Sequence, residues 1–254
     1  MIYDIDGNEA IYKYVWQGNY VVASDMMKRK VYSQKLGEII YSQAFCKYGD
    51  YFYAIDEQGR IAKYDEDFSL ITTKSITTGH GNAFQLGNGN IAYSSGWDDN
   101  KIYAINLDTL TNDSVITLPT TGYTTGVVDD YRKLAYIFQR DSYPGTREHY
   151  NFIVYDYDNQ NIISTKKTTA SFGGMQACDL FNDHIIVLNG LENASQYDAP
   201  NGYRVYDLNG NVVAEYFMPE FSGREPEGVC IDRDTKTLYF GIGHDVYKII
   251  TDEF

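Results

Sequence analysis

The chain has 254 residues, 43% of them hydrophobic and 22% charged, which is enough apolar material for a packed core and excludes wholesale disorder. Lys and Arg total 21 against 35 acidic residues, and the net charge of −14 repels a phosphate backbone, so nucleic acid is not an expected partner. No stretch approaches the roughly 18 apolar residues of a membrane span, and the acidic start MIYDIDGNEAIYKY lacks the basic and apolar regions of a signal peptide. Synthesis in a cytoplasm without membrane insertion is therefore expected.

Residues 1–27 carry Tyr3, Tyr12, Tyr14, Trp16 and Tyr20 and fall outside the pattern that follows. They are expected to form an N-terminal hairpin or a docking segment. From residue 28 onward, short segments rich in Tyr, Ile and Val alternate apolar and polar residues at period two, the signature of strands. A polar residue followed by Ala or Gly recurs as Gln43-Ala44, Asn82-Ala83, Thr125-Gly126, Gln176-Ala177 and Glu227-Gly228, at intervals of 39, 43, 51 and 51 residues. Each copy opens a first strand and is followed by a turn and a second strand, predicted at 51–56, 90–95, 134–139, 184–190 and 238–243. Third strands are predicted at 60–65, 101–107, 151–157, 203–208 and 245–250. Fourth strands are predicted at 69–77, 112–118, 161–168 and 212–218.

Four strands per repeat at this period is the arithmetic of a β-propeller, in which each sheet buries its faces against its neighbours. The fifth repeat runs out after its third strand, and the segment 29–35, RKVYSQK, is expected to supply the missing one and close the ring. The fold class is thus all-β, a propeller of five four-stranded blades over residues 28–254. Six blades remain open if residues 1–27 build part of another sheet. Asp65-Glu66-Asp67, Asp156-Tyr157-Asp158-Asn159 and Asp207-Leu208-Asn209-Gly210 read as turns between third and fourth strands. Cys46, Cys178 and Cys230 sit on first strands and are expected to be buried and inert.

Loops before the first strand and between strands two and three share one face of a propeller. The polar ring of Gln43, Asn82, Thr125, Gln176 and Glu227 lies at that face, with His80 beside it. The second-to-third-strand connections are long in three consecutive blades: 96–100, 140–150 and 191–202. Long loops on a rigid scaffold carry function. They bring Trp97, Tyr143 and Tyr197 near Asp98, Asp99, Arg140, Arg147 and His149. Aromatic faces amid planar polar groups suit a sugar, and the two arginines suit a phosphate or carboxylate. The alternative for both features is structural: polar groups capping backbone amides, and variable surface loops.

Four scattered histidines and an imperfect Asp4–Glu9 calcium-loop pattern give no metal site. No GxSxG, HExxH or phosphate-cradling glycine loop is present, so neither an enzyme nor a cofactor is expected. The catalytic alternative is a glycosidase built on Glu225, Glu227 and Asp98 or Asp99, or a metal-dependent lactonase using Glu227 and Asn82.

Thr78-Gly79-His80-Gly81-Asn82, Met175-Gln176-Ala177 and Glu225-Pro226-Glu227-Gly228-Val229 resemble the blade starts of one propeller group. It is the group of staphylococcal phage receptor-binding proteins and teichoic-acid-biosynthesis protein C-like domains. The resemblance covers about residues 28–254. It implies a virion protein, a tail or appendage subunit, whose partners are other virion proteins and a host cell-surface glycan. Its carry-over positions are His80, Asn82, Gln176 and Glu227. The chain departs from the group in lacking a long stem, and its acidity fits a neutral glycan as well as an anionic one. A purely structural virion assembly subunit is the other non-enzymatic reading.

Overall fold

A computed structural model gives the fold; it describes residues 33–96, 99–140, 150–168, 174–190, 201–221 and 224–249, and the backbone of 14–16, 19–21 and 29–30. Strands β1 (Tyr14–Trp16) and β2 (Asn19–Val21) pair as a small antiparallel sheet of their own. Then follow β3 (Arg29–Lys30) and β4 (Ser33–Glu38).

Five sheets make the propeller. Blade 1 is β5 (Ala44–Tyr48), β6 (Tyr51–Ile55), β7 (Arg60–Tyr64) and β8 (Leu70–Ser75). Blade 2 is β9 (Ala83–Leu86), β10 (Ile91–Ser95), β11 (Lys101–Asn106) and β12 (Thr111–Thr117). Blade 3 is β13 (Thr124–Asp129), β14 (Leu134–Arg140), β15 (Tyr150–Asp156) and β16 (Asn161–Lys167). Blade 4 is β17 (Met175–Phe181), β18 (His184–Asn189), β19 (Gly202–Asp207) and β20 (Val212–Phe217). Blade 5 is β21 (Pro226–Ile231), β22 (Leu238–Ile242) and β23 (Asp245–Ile249), completed by β4. The predicted strands thus stand, most of them a residue or two shorter at their ends, and the blade number is five. No helix among the described residues is long and apolar enough to cross a membrane.

Ring closure differs in one respect from the expectation for 29–35. The closing strand is displaced toward the C-terminal side: β4 pairs antiparallel with β23, from Ser33 opposite Ile249 to Glu38 opposite Asp245. Arg29 and Lys30 lie instead beside Tyr216 and Phe217, adding a parallel fifth strand to blade 4. The chain therefore crosses from the rim of blade 4 to the rim of blade 5 and ties the two together. Gly37 permits this closure, because a Cβ there would stand 2.6 Å from the Phe68 ring of blade 1.

Asp245 is the charged centre of the closure. Lys35 Nζ lies 2.7 Å from its carboxylate and Arg224 Nη2 donates to it at 2.9 Å. The Lys35 hydrogen bond holds the Asp245 carboxyl below its ordinary value of 3.8, with Arg224 and Tyr247 adding to the effect against desolvation. A carboxyl lowered in the folded state contributes stability above its unfolded-state value, and that stability is lost as the pH falls through the folded value. Asp245→Asn is therefore expected to lower the urea midpoint at pH 7 and to lower it less at pH 3, below the ordinary carboxyl value of 3.8. An equal loss at both pH values would show that the charge is not what matters.

The core is divided between the blades. Phe45, Ile55 and Tyr64 of blade 1 pack with Phe84 and Leu107 of blade 2 and with Val246 of blade 5. Blades 4 and 5 share Leu188, Tyr203, Phe240 and Ile242; blades 3 and 4 share Phe138, Phe152, Val187 and Tyr206; blades 2 and 3 share Ile102, Ile137 and Ile153. The many tyrosines suit this arrangement, since a ring can be buried between blades while its hydroxyl reaches a polar group beyond. Tyr64 Oη accepts from Ile40 N at 2.8 Å, Tyr150 Oη of blade 3 accepts from Met175 N of blade 4 at 3.1 Å, and Tyr93 of blade 2 donates to Asp130 of blade 3.

The turns between third and fourth strands form as expected, with Asp65, Asp156 and Asp207 accepting from backbone amides two to four residues on. One departure is informative. Gly210 holds the left-handed position in blade 4, but Phe68, Leu110 and Gln160 hold it in blades 1 to 3, at φ of 61°, 52° and 54°. Such a backbone costs roughly 1–2 kcal/mol for a residue with a Cβ. Burying a leucine or phenylalanine side chain returns about 1.5–3 kcal/mol. Leu110 is buried in the inter-blade core and Phe68 stacks on Phe52 at 4.7 Å, so packing outweighs local preference there.

Candidate functional site

The first strands converge on the axis. Cα atoms of β9 come within 8 Å of those of β17 and of β21, strands of blades that are not its neighbours. The axis is therefore crossed by side chains. Their inward edges lack a strand partner, and unpaired backbone groups there are costly.

Side chains supply missing partners: Ser95 Oγ of blade 2 accepts from Gly126 N of blade 3 at 3.1 Å, and two longer side chains do the same. Gln85 Nε2 donates to Val128 O at 2.8 Å and Gln85 Oε1 accepts from Val128 N at 2.7 Å, linking blade 2 to blade 3. Asp179 Oδ2 accepts from Ile231 N at 2.7 Å, linking blade 4 to blade 5. Arg233 Nη2 then donates to Asp179 at 2.6 Å and to Leu86 O at 3.2 Å, tying blades 5, 4 and 2 across the axis. Burial pushes the Asp179 carboxyl above its usual range, against the pull of Arg233 and the Ile231 amide. These residues are absent from the sequence expectations. A signal exists: Gln85 and Asp179 each stand three residues after the recurring polar position, inside an otherwise apolar strand. Cys46 and Cys230 hold the same position, and Cys178 precedes Asp179. All three are buried, and burial raises their thiols, as suits inert packing.

At the other end of these strands stands the expected polar ring. Asn82 is buried at 3% exposure, and its Oδ1 has no hydrogen-bond partner. Thr125 is buried as well, whereas Gln43, Gln176 and Glu227 are half-buried. Gln176 Nε2 donates to Glu225 Oε1 at 2.9 Å and to Gly190 O at 3.3 Å, so blades 4 and 5 meet through a side-chain amide and a carboxylate. Arg140 ends β14, where its guanidinium hydrogen-bonds the buried Tyr150 phenol. Burial raises that phenol, and Arg140 opposes the shift.

His80 is half-buried, with Nδ1 4.0 Å from Glu57. The glycines on either side of it have a backbone role: Gly79 and Gly81 lie at φ of 62° and 80°. The Gly-His-Gly sequence thus first serves the turn that leads into blade 2. Asp99 accepts from the Tyr103 hydroxyl and lies 3.9 Å from Lys101. Trp97, Asp98, Tyr143, Arg147, His149 and Tyr197 lie outside the described residues. The structure therefore joins Gln176 to Glu225, places Asn82 and Glu227 at the starts of the first strands of blades 2 and 5, and puts His80 on the turn into blade 2 and Arg140 at the end of β14. Among the described residues no group of three or more His, Cys, Asp and Glu is arranged to hold a metal ion.

Chemically the mouth offers amide and carboxylate oxygens as acceptors, with amide nitrogens and a guanidinium as donors. That set binds hydroxyl-rich or amide-bearing ligands. Glu225 and Glu227, two residues apart, also present the two carboxylates that a hydrolytic reading requires.

No protein-family model matches the chain, and no curated protein does. Solved structures do match in shape. The glutaminyl cyclase of Myxococcus xanthus superposes with a TM-score of 0.62 at 9% identity, over 86% of this chain and 95% of that one. Hydrazine synthase of Kuenenia stuttgartiensis gives a TM-score of 0.48 at 10% identity, over 92% of this chain and 67% of that one. At such identity the likeness to the cyclase concerns the fold alone: this chain is a five-bladed β-propeller.

Proposed function

We propose that the protein is a binding module, a phage virion subunit of the tail or another appendage that recognises a host cell-surface glycan at the mouth ringed by Asn82, Gln176 and Glu227. The observation that carries this reading is Asn82 Oδ1, an acceptor buried without a partner at the start of the first strand of blade 2, with the hydrogen-bonded Gln176–Glu225 pair at the corresponding end of blades 4 and 5. A buried acceptor left unpaired costs about 1–3 kcal/mol. A ligand hydroxyl that donates to it recovers that cost. The virion assignment rests on the resemblance of the blade starts around His80, Gln176 and Glu227 to those of phage receptor-binding propellers, and the other virion proteins are its assembly partners.

The test is binding of the purified protein to intact bacterial cells and to extracted wall glycans. Saturable binding is expected, weakened about tenfold or more in Asn82→Ala, the effect of losing a bond worth about 1.4 kcal/mol. Saturable binding unchanged in Asn82→Ala and in Gln176→Ala would move the ligand away from this mouth. Release of sugar from the glycan, abolished by Glu227→Gln, would favour the hydrolase reading that the Glu225 and Glu227 pair allows. Absence of binding to any wall preparation would leave the purely structural virion subunit.

A further inference from the structure

The mouth at the opposite end of the first strands, about 20 Å away by strand length, carries a pocket of about 340 Å³. It lies among the turns between first and second strands of blades 2, 3 and 4, with Arg233 of blade 5 reaching its floor. Its walls are cross-linked. Asp130 accepts from the Tyr93 hydroxyl and, at 2.9 Å, from Asn88 N, which joins the turns of blades 2 and 3. Arg132 Nη1 lies 2.7 Å from both Asp129 and Asp183, which joins the turns of blades 3 and 4. Asp129 also caps the Tyr131 and Arg132 amides at 3.0 Å. Asn182 and Asp183 are both left-handed, the geometry of a tight two-residue hairpin turn.

One side chain in this rigid frame stands open to a ligand, and a second that lines the pocket has a shielded nitrogen without a hydrogen-bond partner. Tyr131 is 91% exposed, at the rim, a large aromatic side chain held out into solvent by a capped turn. Arg233 lies 5.5 Å from the Phe181 ring, and its Nη1 is shielded and has no hydrogen-bond partner. The charges select the ligand. Three lining carboxylates, Asp129, Asp130 and Asp183, outnumber the two guanidiniums of Arg132 and Arg233, which disfavours an anion. The guanidiniums in turn disfavour a simple cation. A hydroxyl both donates and accepts, so a neutral polyhydroxyl ring satisfies carboxylates and guanidiniums together and stacks its apolar face on an aromatic. The volume is at the small end of ligand sites, which run about 300–1,000 Å³.

We propose that this pocket is a second, separate binding site, for a neutral saccharide of one or two rings, with Tyr131 as the stacking platform. The walls are set before the ligand arrives, so little ordering cost offsets the contacts. The proposal does not depend on the glycan reading of the opposite mouth.

The experiment is titration of the whole protein with a panel of free neutral sugars and their methyl glycosides, glucose, galactose, rhamnose and N-acetylglucosamine, followed by ligand-observed NMR. At least one is expected to bind with Kd on the order of 1 mM. Tyr131→Ala removes an exposed side chain, so its melting temperature is expected to stay at the wild-type value while the affinity falls about tenfold. Asn82→Ala, at the other mouth, is expected to leave this affinity unchanged. Binding that survives Tyr131→Ala, or that is lost in Asn82→Ala instead, overturns the proposal, and the latter result assigns the sugar to the polar ring. No saturable binding of any sugar in the panel also overturns it, and leaves the wall-glycan result at the opposite mouth to stand on its own.

Discussion

Asp179→Ala is expected to lower folding stability by about 3 kcal/mol, the range for removing one partner of a buried charge pair. For a protein of this size that is a fall in Tm of roughly 6–12 °C. The Asp179 side chain is 1% exposed and performs three tasks: it accepts from Ile231 N, from Leu180 N and from Arg233 Nη2. Alanine leaves the Ile231 amide without an acceptor on the inner edge of blade 5. It also leaves a guanidinium, 24% exposed, facing the axis with only the Leu86 carbonyl. Gln85→Ala provides the neutral comparison. It removes the two bonds to Val128 but no charge, and its cost is expected nearer to 1–2 kcal/mol. Thermal and urea unfolding of the two variants would measure both values. A loss below 1 kcal/mol for Asp179→Ala would mean that water replaces the carboxylate and that the axis is more open than the strand contacts indicate.

A chain begun at Ile39 is expected to lose about 4 kcal/mol or more and to associate. Removing β4 takes away five backbone pairings with β23, each hydrogen bond being worth about 1 kcal/mol. It also removes Lys35 from Asp245, and it bares the β23 edge, which invites pairing with other chains. The same deletion removes β3 from blade 4. Size-exclusion chromatography should show oligomers, and amide exchange should be fastest in blade 5. Addition of a synthetic peptide spanning residues 28–38 should restore the monomer and the lost midpoint. A truncated chain that melts as wild type does would show that the inter-blade cores alone close the ring.

Most of the architecture was legible in one dimension, because strands and their turns are local. Period-two alternation marked the strands, and the polar-small pairs from Gln43-Ala44 to Glu227-Gly228 marked where each blade begins. The Asp65, Asp156 and Asp207 turns followed from side chains that bond amides two to four residues away. The closing strand was legible as to kind but not as to register. Both 29–30 and 33–38 are short, mostly polar stretches, and only the edges of β20 and β23 decide which pairs with which. The left-handed Phe68 and Leu110 were hidden for a related reason: local preference favours Asn or Gly, and the burial that overrides it comes from residues far along the chain.

The candidate sites divide in the same way. The ring of Asn82, Gln176 and Glu227 could be named from the sequence, since a repeat places equivalent positions around one axis. Its hydrogen bonds could not: Gln176 meets Glu225 across 49 residues. Gln85 and Asp179 read as ordinary polar residues in apolar strands until Val128 and Ile231 come to face them, 43 and 52 residues away. The pocket around Tyr131 has no signature at all in the sequence, for it is assembled from separate short turns that resemble any others. Sequence alone determined the strands, the blade period and the closed all-β ring, because those depend on side-chain alternation and on turns within a few residues. Tertiary structure alone decided which carboxylates are paired, which amide oxygen is left open and where a pocket lies, because those depend on which blades the closed ring makes neighbours.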